Sequence, residues 1–466
     1  MKNAHLRSVT GLLAAGMLFL FSPPAETRAA ERPNVLVIVS DDAGYADFSM
    51  QGTKDFPTPH IDSIAANGAR CANGYVSAPV CSPSRAGILT GRYQERFGHE
   101  QNIPPSYSEV NGLPLSEKTI ADGMKGAGYR TIALGKWHLG YAPKFHPLAR
   151  GFDDFYGFLQ GQRSYFPLKR PGPLNRMLRD REPAPEKFAY TTDELAAQAA
   201  AYIRQNREHP FFMYLAFNAV HAPFQALDSD RAKVQGMTKE RTTMCAMIRA
   251  LDRGVGVVLD ALDQQKLTDH TLVFFVNDNG GAHFPAYYNN RPLHGYKGST
   301  WEGGIRVPFA VQWPGKIPAG QVFQPPVISL DIMPTALAVA GVTNAPGHPL
   351  DGVNLLPYLA GQNSTAPHAG LFWRYGKNYA ARMGDWKLTC TDDSGVKLFN
   401  LATDIGETQD LSATQPAQLQ ALSTAYAQWN AGNVPAIKWE SKGKNTEEAS
   451  AAAATMTLAY QMDDDP

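Results

Sequence analysis

The run Cys81-Ser82-Pro83-Ser84-Arg85-Ala86-Gly87-Ile88-Leu89-Thr90-Gly91-Arg92 brings reactive residue types together at a helical spacing. Ser82 is a good helix N-cap, and Pro83 suits a first turn, whose N–H groups lack intrahelical acceptors. Cys81 is therefore expected at the positive end of a helix dipole, among free amide donors that favour an anion. Arg85, one turn further on, projects to the same side. A lone cysteine at a helix start reads as an inert buried thiol. With an arginine stacked beside it, it becomes a candidate centre for chemistry on an anionic group.

Other polar groups arrive in a recurrent way. Apolar runs at 34–40, 131–134, 211–217, 272–276 and 308–313 have the character of buried parallel strands. The first is followed by Asp41-Asp42, the second by Gly135-Lys136-Trp137-His138, the third by Asn218-Ala219-Val220-His221. The fourth runs into Asn277-Asp278-Asn279-Gly280-Gly281. Open α/β sheets place ligands just past the carboxyl ends of their strands, so these four ends are expected to converge on one cleft. Asp41, Asp42, Asp278 and Asn279 offer hard oxygen ligands, which suit Ca²⁺, or Mg²⁺, better than Zn²⁺. Carboxylates gathered this closely repel one another unless a cation holds them. Lys136 and His138 are alternate residues on extended backbone, so both face one site.

Taken together, these segments closely resemble the signatures of the sulfatase family. The Cys81 run resembles C-x-P-S-R-x-x-x-L-T-G-R, and 135–140 resembles G-K-W-H-x-G. Val220-His221-Ala222-Pro223 resembles the H-x-P segment, and 295–306, with Lys297, resembles G-x-K-x-x-x-x-E-G-G-x-R. The resemblance implies that Cys81 is oxidised to Cα-formylglycine by a maturation enzyme and that its hydrate attacks sulfur. It implies that Asp41, Asp42, Asp278 and Asn279, with the modified Cys81, bind one Ca²⁺. Arg85 and Lys136 would face the sulfate, His138 the diol, His221 the sulfate and leaving alcohol, and Lys297 the sulfate and bridging oxygen. Glu302 and Arg306 are expected to be scaffold. Phosphonate monoester and phosphodiester hydrolases share the signature and metal set, and a glycan-binding protein with unmodified Cys81 is a further alternative.

The likeness continues through 329–335, the 351–355 turn and the tail Asp404 to Leu411. Sulfatases often carry another hydroxyl or amide donor between the K-W-H and H-x-P segments; Ser164 is the nearest candidate. Beyond it, Lys169, Arg170, Arg176, Arg179 and Arg181 crowd a Pro-rich loop, read either as surface charge or as a rim for further acidic groups on a saccharide. Tyr165, Phe166, Tyr287, Tyr288 and His294 are candidates for stacking on sugar rings.

Helical patterns at 61–67, 120–127, 193–206 and 242–265 alternate with the strands. The expected fold is α/β: a large, mostly parallel sheet sandwiched by helices, plus a small C-terminal antiparallel sheet with a helix. Residues 1–30 read as a signal peptide, with Lys2 and Arg7 before an apolar run from Gly11 to Phe21 that is too short to span a bilayer. Residues 31–365 would form the catalytic domain and 366–466 a C-terminal α+β subdomain with an Ala-rich tail. No stable membrane insertion is expected. The 43 basic and 43 acidic side chains cancel, which gives no electrostatic case for nucleic acid. Of the four cysteines, modification of Cys81 would leave Cys71, Cys245 and Cys390, at most one disulfide. Family habit then points to a secreted enzyme of the bacterial periplasm acting on a sulfated saccharide.

Overall fold

A computed structural model describes Met1 and residues 32–343, 347–391 and 395–440; the signal-peptide reading and the Ala-rich tail lie outside the described residues. Ten strands form the main sheet. They are β1 (Asn34–Ser40), β2 (Ala69–Cys71), β3 (Arg130–Lys136), β4 (Asp154–Phe158), β5 (Leu178–Arg179), β6 (Glu182–Pro183), β7 (Phe211–Ala216), β8 (Thr271–Asn277), β9 (Phe309–Gln312) and β10 (Gln321–Phe323). Their order is β10-β2-β9-β8-β1-β7-β3-β4-β5-β6.

The centre of the sheet, β8-β1-β7-β3-β4, is parallel throughout. Each residue of β1, β7 and β8 is buried, as strands covered on both faces must be. Alternation then sorts their side chains into two cores. Val35, Val37 and Val39 join one cluster, with Ile88 and Leu89 of α2 (Cys81–Thr90), Met124 of α3 (Ile120–Gly126) and Met333 of α6 (Ile332–Val339). Leu36 and Ile38 face the other, with Ile61 of α1 (Pro59–Ala66), Leu195 of α4 (Thr191–Gln205) and Leu251 of α5 (Lys239–Gln264). Each such side chain, fully buried, contributes roughly 1.5–3 kcal/mol. The two cores make the sheet a rigid platform.

One strand departs from expectation. β9 runs antiparallel to β8 and to β2, whereas the run at 308–313 reads as parallel. A continuous apolar run reports burial on both faces and carries no information about direction.

The second sheet consists of β11 (Leu371–Tyr375), β12 (Asn378–Met383), β13 (Trp386–Thr391) and β14 (Gly395–Asn400), all antiparallel. Helix α7 (Pro416–Asn430) packs on it through Leu422 and Trp429. This sheet shares a core with segments outside it: Trp373 lies against Tyr75 at 5.2 Å between ring centroids, with Ile305 and Leu330 beside them.

Candidate active site

The four polar strand ends do converge. β1 and β8 are in register, Ser40 opposite Asn277, so Asp41-Asp42 and Asp278-Asn279 leave neighbouring strands side by side. Asn277 locks the first turn: its Oδ1 accepts from Ser40 Oγ (2.8 Å) and the Ala43 amide, and its Nδ2 donates to Ala43 O. Asp42 is held at φ 62°, a left-handed conformation that costs a residue with a Cβ of order 1–3 kcal/mol. The amide of Asp42 donates to Asp278 Oδ1.

Cys81 opens α2 as its first helical residue, after Val80 as N-cap. Ser82 is therefore not the cap expected from its type. It lies inside the first turn, its hydroxyl bonded to His138 O and to His99 Nε2, each at 2.7 Å. The change leaves Cys81 at the dipole's positive end, and Ser82 fastens α2 to the segment after β3. Cys81 Sγ lies 3.6 Å from Asp41 Oδ1, 3.9 Å from Asp42 Oδ1 and 3.3 Å from Lys297 Nζ.

The cations alternate with the carboxylates. Lys136 Nζ donates to Asp41 Oδ2 at 2.6 Å; Arg85 Nε donates to Asp278 Oδ2 at 2.9 Å, with a second guanidinium nitrogen at 2.8 Å. Lys297 Nζ bridges both oxygens of Asp42 at 2.7 and 2.8 Å, and His221 Nε2 lies 3.5 Å from Asp42 Oδ2. His138 joins through its burial and the nearby charges of Lys136, Arg85 and Lys297. At φ 58° its backbone is also left-handed, with its amide donating to Leu159 O. Every site residue expected from the motifs is thus in one cluster.

Burial dominates the electrostatics. It pushes the Cys81 thiol up to about 12 against the opposing pull of Lys136 and Lys297. Burial and Asp278 push Asp41 up to about 7 despite Lys136 and Arg85. For Asp42 burial is overcome by Lys297, His221 and Lys136, which hold its carboxyl well below the usual range. Lys297 is raised well above its ordinary value, because Asp42 outweighs burial. Burial lowers His221 to about 4 despite Asp42; burial, with Lys136 and Arg85 nearby, also holds His138 well below its ordinary value, so both rings are neutral near pH 7.

Asp41, Asp42, Cys81 and His221 each place a ligand atom within 4.8 Å of the others. Asp278 is held one step back by Arg85. Asn279 donates through Nδ2 to Asp42 Oδ1 at 2.7 Å, while its fully buried Oδ1 has no partner. An orphaned buried acceptor among carboxylates fits a hard cation, which would satisfy it.

Several contributors escaped motif reading. Tyr165 donates its hydroxyl to Asn218 O (2.7 Å) and His221 O (2.8 Å), and Tyr288 to Val220 O, so these rings pin the His221 turn. Both rings are buried, whereas His294 is exposed and stacks on Trp301 at 4.3 Å, and half-buried Tyr287 stacks on Phe224 at 3.8 Å. Phe166 packs edge-on against Tyr190. The Ser164 hydroxyl donates to Gln225 Oε1, 61 residues on, and accepts from the Phe166 amide. Tyr375, at the end of β11, lies close enough to feel the charges of Lys297 and Cys81. It sits far along the chain, outside any motif. All four cysteines are free thiols.

The family model described as Sulfatase matches residues 33–342, and that of N-sulphoglucosamine sulphohydrolase, C-terminal, matches 294–427. The chain is similar to human N-acetylgalactosamine-6-sulfatase, 35% identical over 379 residues, covering 77% of this chain and 72% of that protein. It superimposes on the crystal structure of Ps i-CgsB in complex with k-i-k-neocarrahexaose with TM-score 0.84 and 36% identity, covering 91% of this chain and 98% of that one. The phosphonate monoester hydrolase of Agrobacterium radiobacter shares the fold, with TM-score 0.63 and 18% identity over 86% of this chain and 96% of that one.

Proposed function

The chain belongs to the sulfatase family of sulfuric ester hydrolases, and from that premise we propose that it removes sulfate from a saccharide by way of formylglycine at position 81. The observation that carries this reading is the setting of Cys81. It stands at a helix N-terminus, 3.3 Å from Lys297 and within 4 Å of Asp41 and Asp42. A thiol pushed up to about 12 is a poor nucleophile at neutral pH, so the side chain is unsuited to the role in its cysteine form. Oxidation to the aldehyde and hydration supply two hydroxyls on one carbon.

One hydroxyl attacks sulfur as its proton passes to the neighbouring Asp41 carboxylate, which lies 3.6 Å from Cys81 Sγ, and the bond from sulfur to the sugar oxygen breaks. His221, neutral here, takes up a proton as the anionic substrate enters and delivers it to the leaving alcohol. The second hydroxyl then loses its proton to His138, and the C–O bond to sulfate breaks, which restores the aldehyde. Lys136, Lys297 and Arg85 supply positive charge where oxygen gains negative charge. Asp41, Asp42, Asp278 and Asn279 would hold Ca²⁺, which supplies Lewis-acid stabilisation when bound. Charge inventory favours a cation: three carboxylates already neutralise Lys136, Lys297 and Arg85, leaving the substrate's charge uncompensated.

The saccharide is supported by the two relatives whose names carry sugars. Export, from the signal-peptide reading of residues 1–30, and modification by a maturation enzyme belong to the same proposal. Paired assays of nitrophenyl sulfate and nitrophenyl phosphonate esters test the reaction. A higher kcat/KM for sulfate is expected; a higher one for phosphonate would reverse the assignment in favour of the hydrolase whose fold this chain shares.

A further inference from the structure

The basic loop resolves into separate fates. Arg179 donates to Gln198 Oε1 at 2.6 Å and lies over Tyr156, and Lys169 and Arg170 are exposed. Arg176 and Arg181 instead line a cavity of about 310 Å³, at the lower end of the ~300–1,000 Å³ typical of ligand pockets. Its other walls include Tyr141, His146, Leu159 and Leu178. Among the described residues neither arginine is paired with a carboxylate: Arg176 donates to Gly172 O at 3.3 Å and Arg181 to Pro143 O at 3.5 Å. The nearby Asp180 is occupied, accepting from the Phe155 amide.

Two buried polar groups on the wall are unsatisfied. The Tyr141 hydroxyl, on a residue only 4% exposed, has no hydrogen-bond partner. His146, also 4% exposed, accepts the Leu148 amide at Nδ1, which places its proton on Nε2. Nε2 makes no hydrogen bond of normal geometry although the Asp180 backbone is near. Unpartnered buried polar groups are rare in folded proteins and call for an explanation. The cavity runs alongside β4, from Leu159 just past its carboxyl end, where Leu159 O accepts the His138 amide at 3.0 Å, to His146 against Phe155 near its amino end.

We propose that this cavity is a second subsite, which holds an oxyanion-bearing sugar ring of the same chain whose sulfate enters the Cys81 site. Arg176 and Arg181 face the oxyanion, a geometry guanidinium groups favour. Tyr141 and His146 hydrogen-bond the ring hydroxyls, and Leu159 and Leu178 cover its apolar face. The inference rests on the saccharide reading above and adds where a neighbouring acidic unit binds.

The test compares the matured wild-type enzyme with the Arg176→Ala/Arg181→Ala double variant and with Tyr141→Phe. The latter removes one oxygen that has no partner in the protein, so folding loses nothing. Substrates are nitrophenyl sulfate, which reaches only the Cys81 site, and sulfated neocarrahexaose; calorimetry measures binding of that hexasaccharide and of a hexauronate, which separates sulfate from carboxylate. In both variants kcat and KM for nitrophenyl sulfate stay unchanged. The double variant binds its preferred hexasaccharide about tenfold more weakly, with a matching rise in KM, and Tyr141→Phe is affected several-fold. Unchanged hexasaccharide affinity in the double variant overturns the subsite, as does a wild type that splits nitrophenyl sulfate but binds neither hexasaccharide. A wild type inactive on nitrophenyl sulfate instead refutes the hydrolase reading, and calorimetry still judges the cavity.

Discussion

At the scale of single residues, the site was legible wherever chemistry sits in a compact motif. Cys81, Arg85, Lys136, His138, His221 and Lys297 all stand where their local runs imply. What escaped notice is what holds them. His138 depends on Gly161, where an added Cβ would lie 2.6 Å from the imidazole Cε1. Nothing in the sequence around Gly161 names that neighbour, because the contact joins segments that only the fold brings together. Gly161→Ala is therefore expected to displace the His138 ring, and misplacement of about 1 Å can cost ~100-fold in rate. The variant should keep its melting temperature within a few degrees and lose kcat on nitrophenyl sulfate. Unchanged kcat would show that the position of His138 is immaterial.

At the scale of elements, the parallel strands and covering helices follow from burial and periodicity, and the polar residues past the strand ends from sheet topology. The direction of β9 does not, and neither does the link from the second sheet to the Lys297 loop. Lys387, on β13, donates to Glu407 Oε1 at 2.7 Å and pairs with Glu302 Oε1 at 2.9 Å; Glu407 Oε2 accepts the Glu302 amide. Thr300 and Thr389 hydroxyls meet at 3.1 Å. The loop that carries Lys297 is thus clamped from behind by a sheet distant in sequence. Burial raises the Glu302 carboxyl, but Lys387, Arg306 and Arg382 outweigh it and hold it at about 2. Burial raises Glu407 to about 7 against Lys387. The folded protein therefore keeps the Glu407 proton more tightly than the unfolded chain. That contribution to stability is complete below pH 4.5 and is lost as pH rises towards and through 7. Glu407→Gln lacks this dependence, so its melting temperature should rise relative to wild type between pH 4.5 and 7. A constant difference across that range would contradict the assignment.

At the scale of the whole molecule, one site draws on both sheets. Asp41, Asp42, Lys136, His221 and Asp278 come from the parallel edge, while the second sheet brings Tyr375 close and braces Lys297 through Lys387. A cation bound among buried carboxylates belongs to the folded state only, so binding should stabilise the whole unit, by about 2.7 kcal/mol at a hundredfold excess over Kd. Treatment with a chelator should lower the melting temperature, and added Ca²⁺ should restore it; a melting temperature indifferent to both would argue against a metal at Asp41, Asp42 and Asn279.

The central claim concerns Cys81 itself, and mass spectrometry of the peptide that contains it, from protein matured in its own host, tests it most directly. The account predicts a peptide lighter than the cysteine form that reacts with an aldehyde-specific hydrazide, in proportion to sulfatase activity. An intact thiol at position 81 in fully active protein would contradict it.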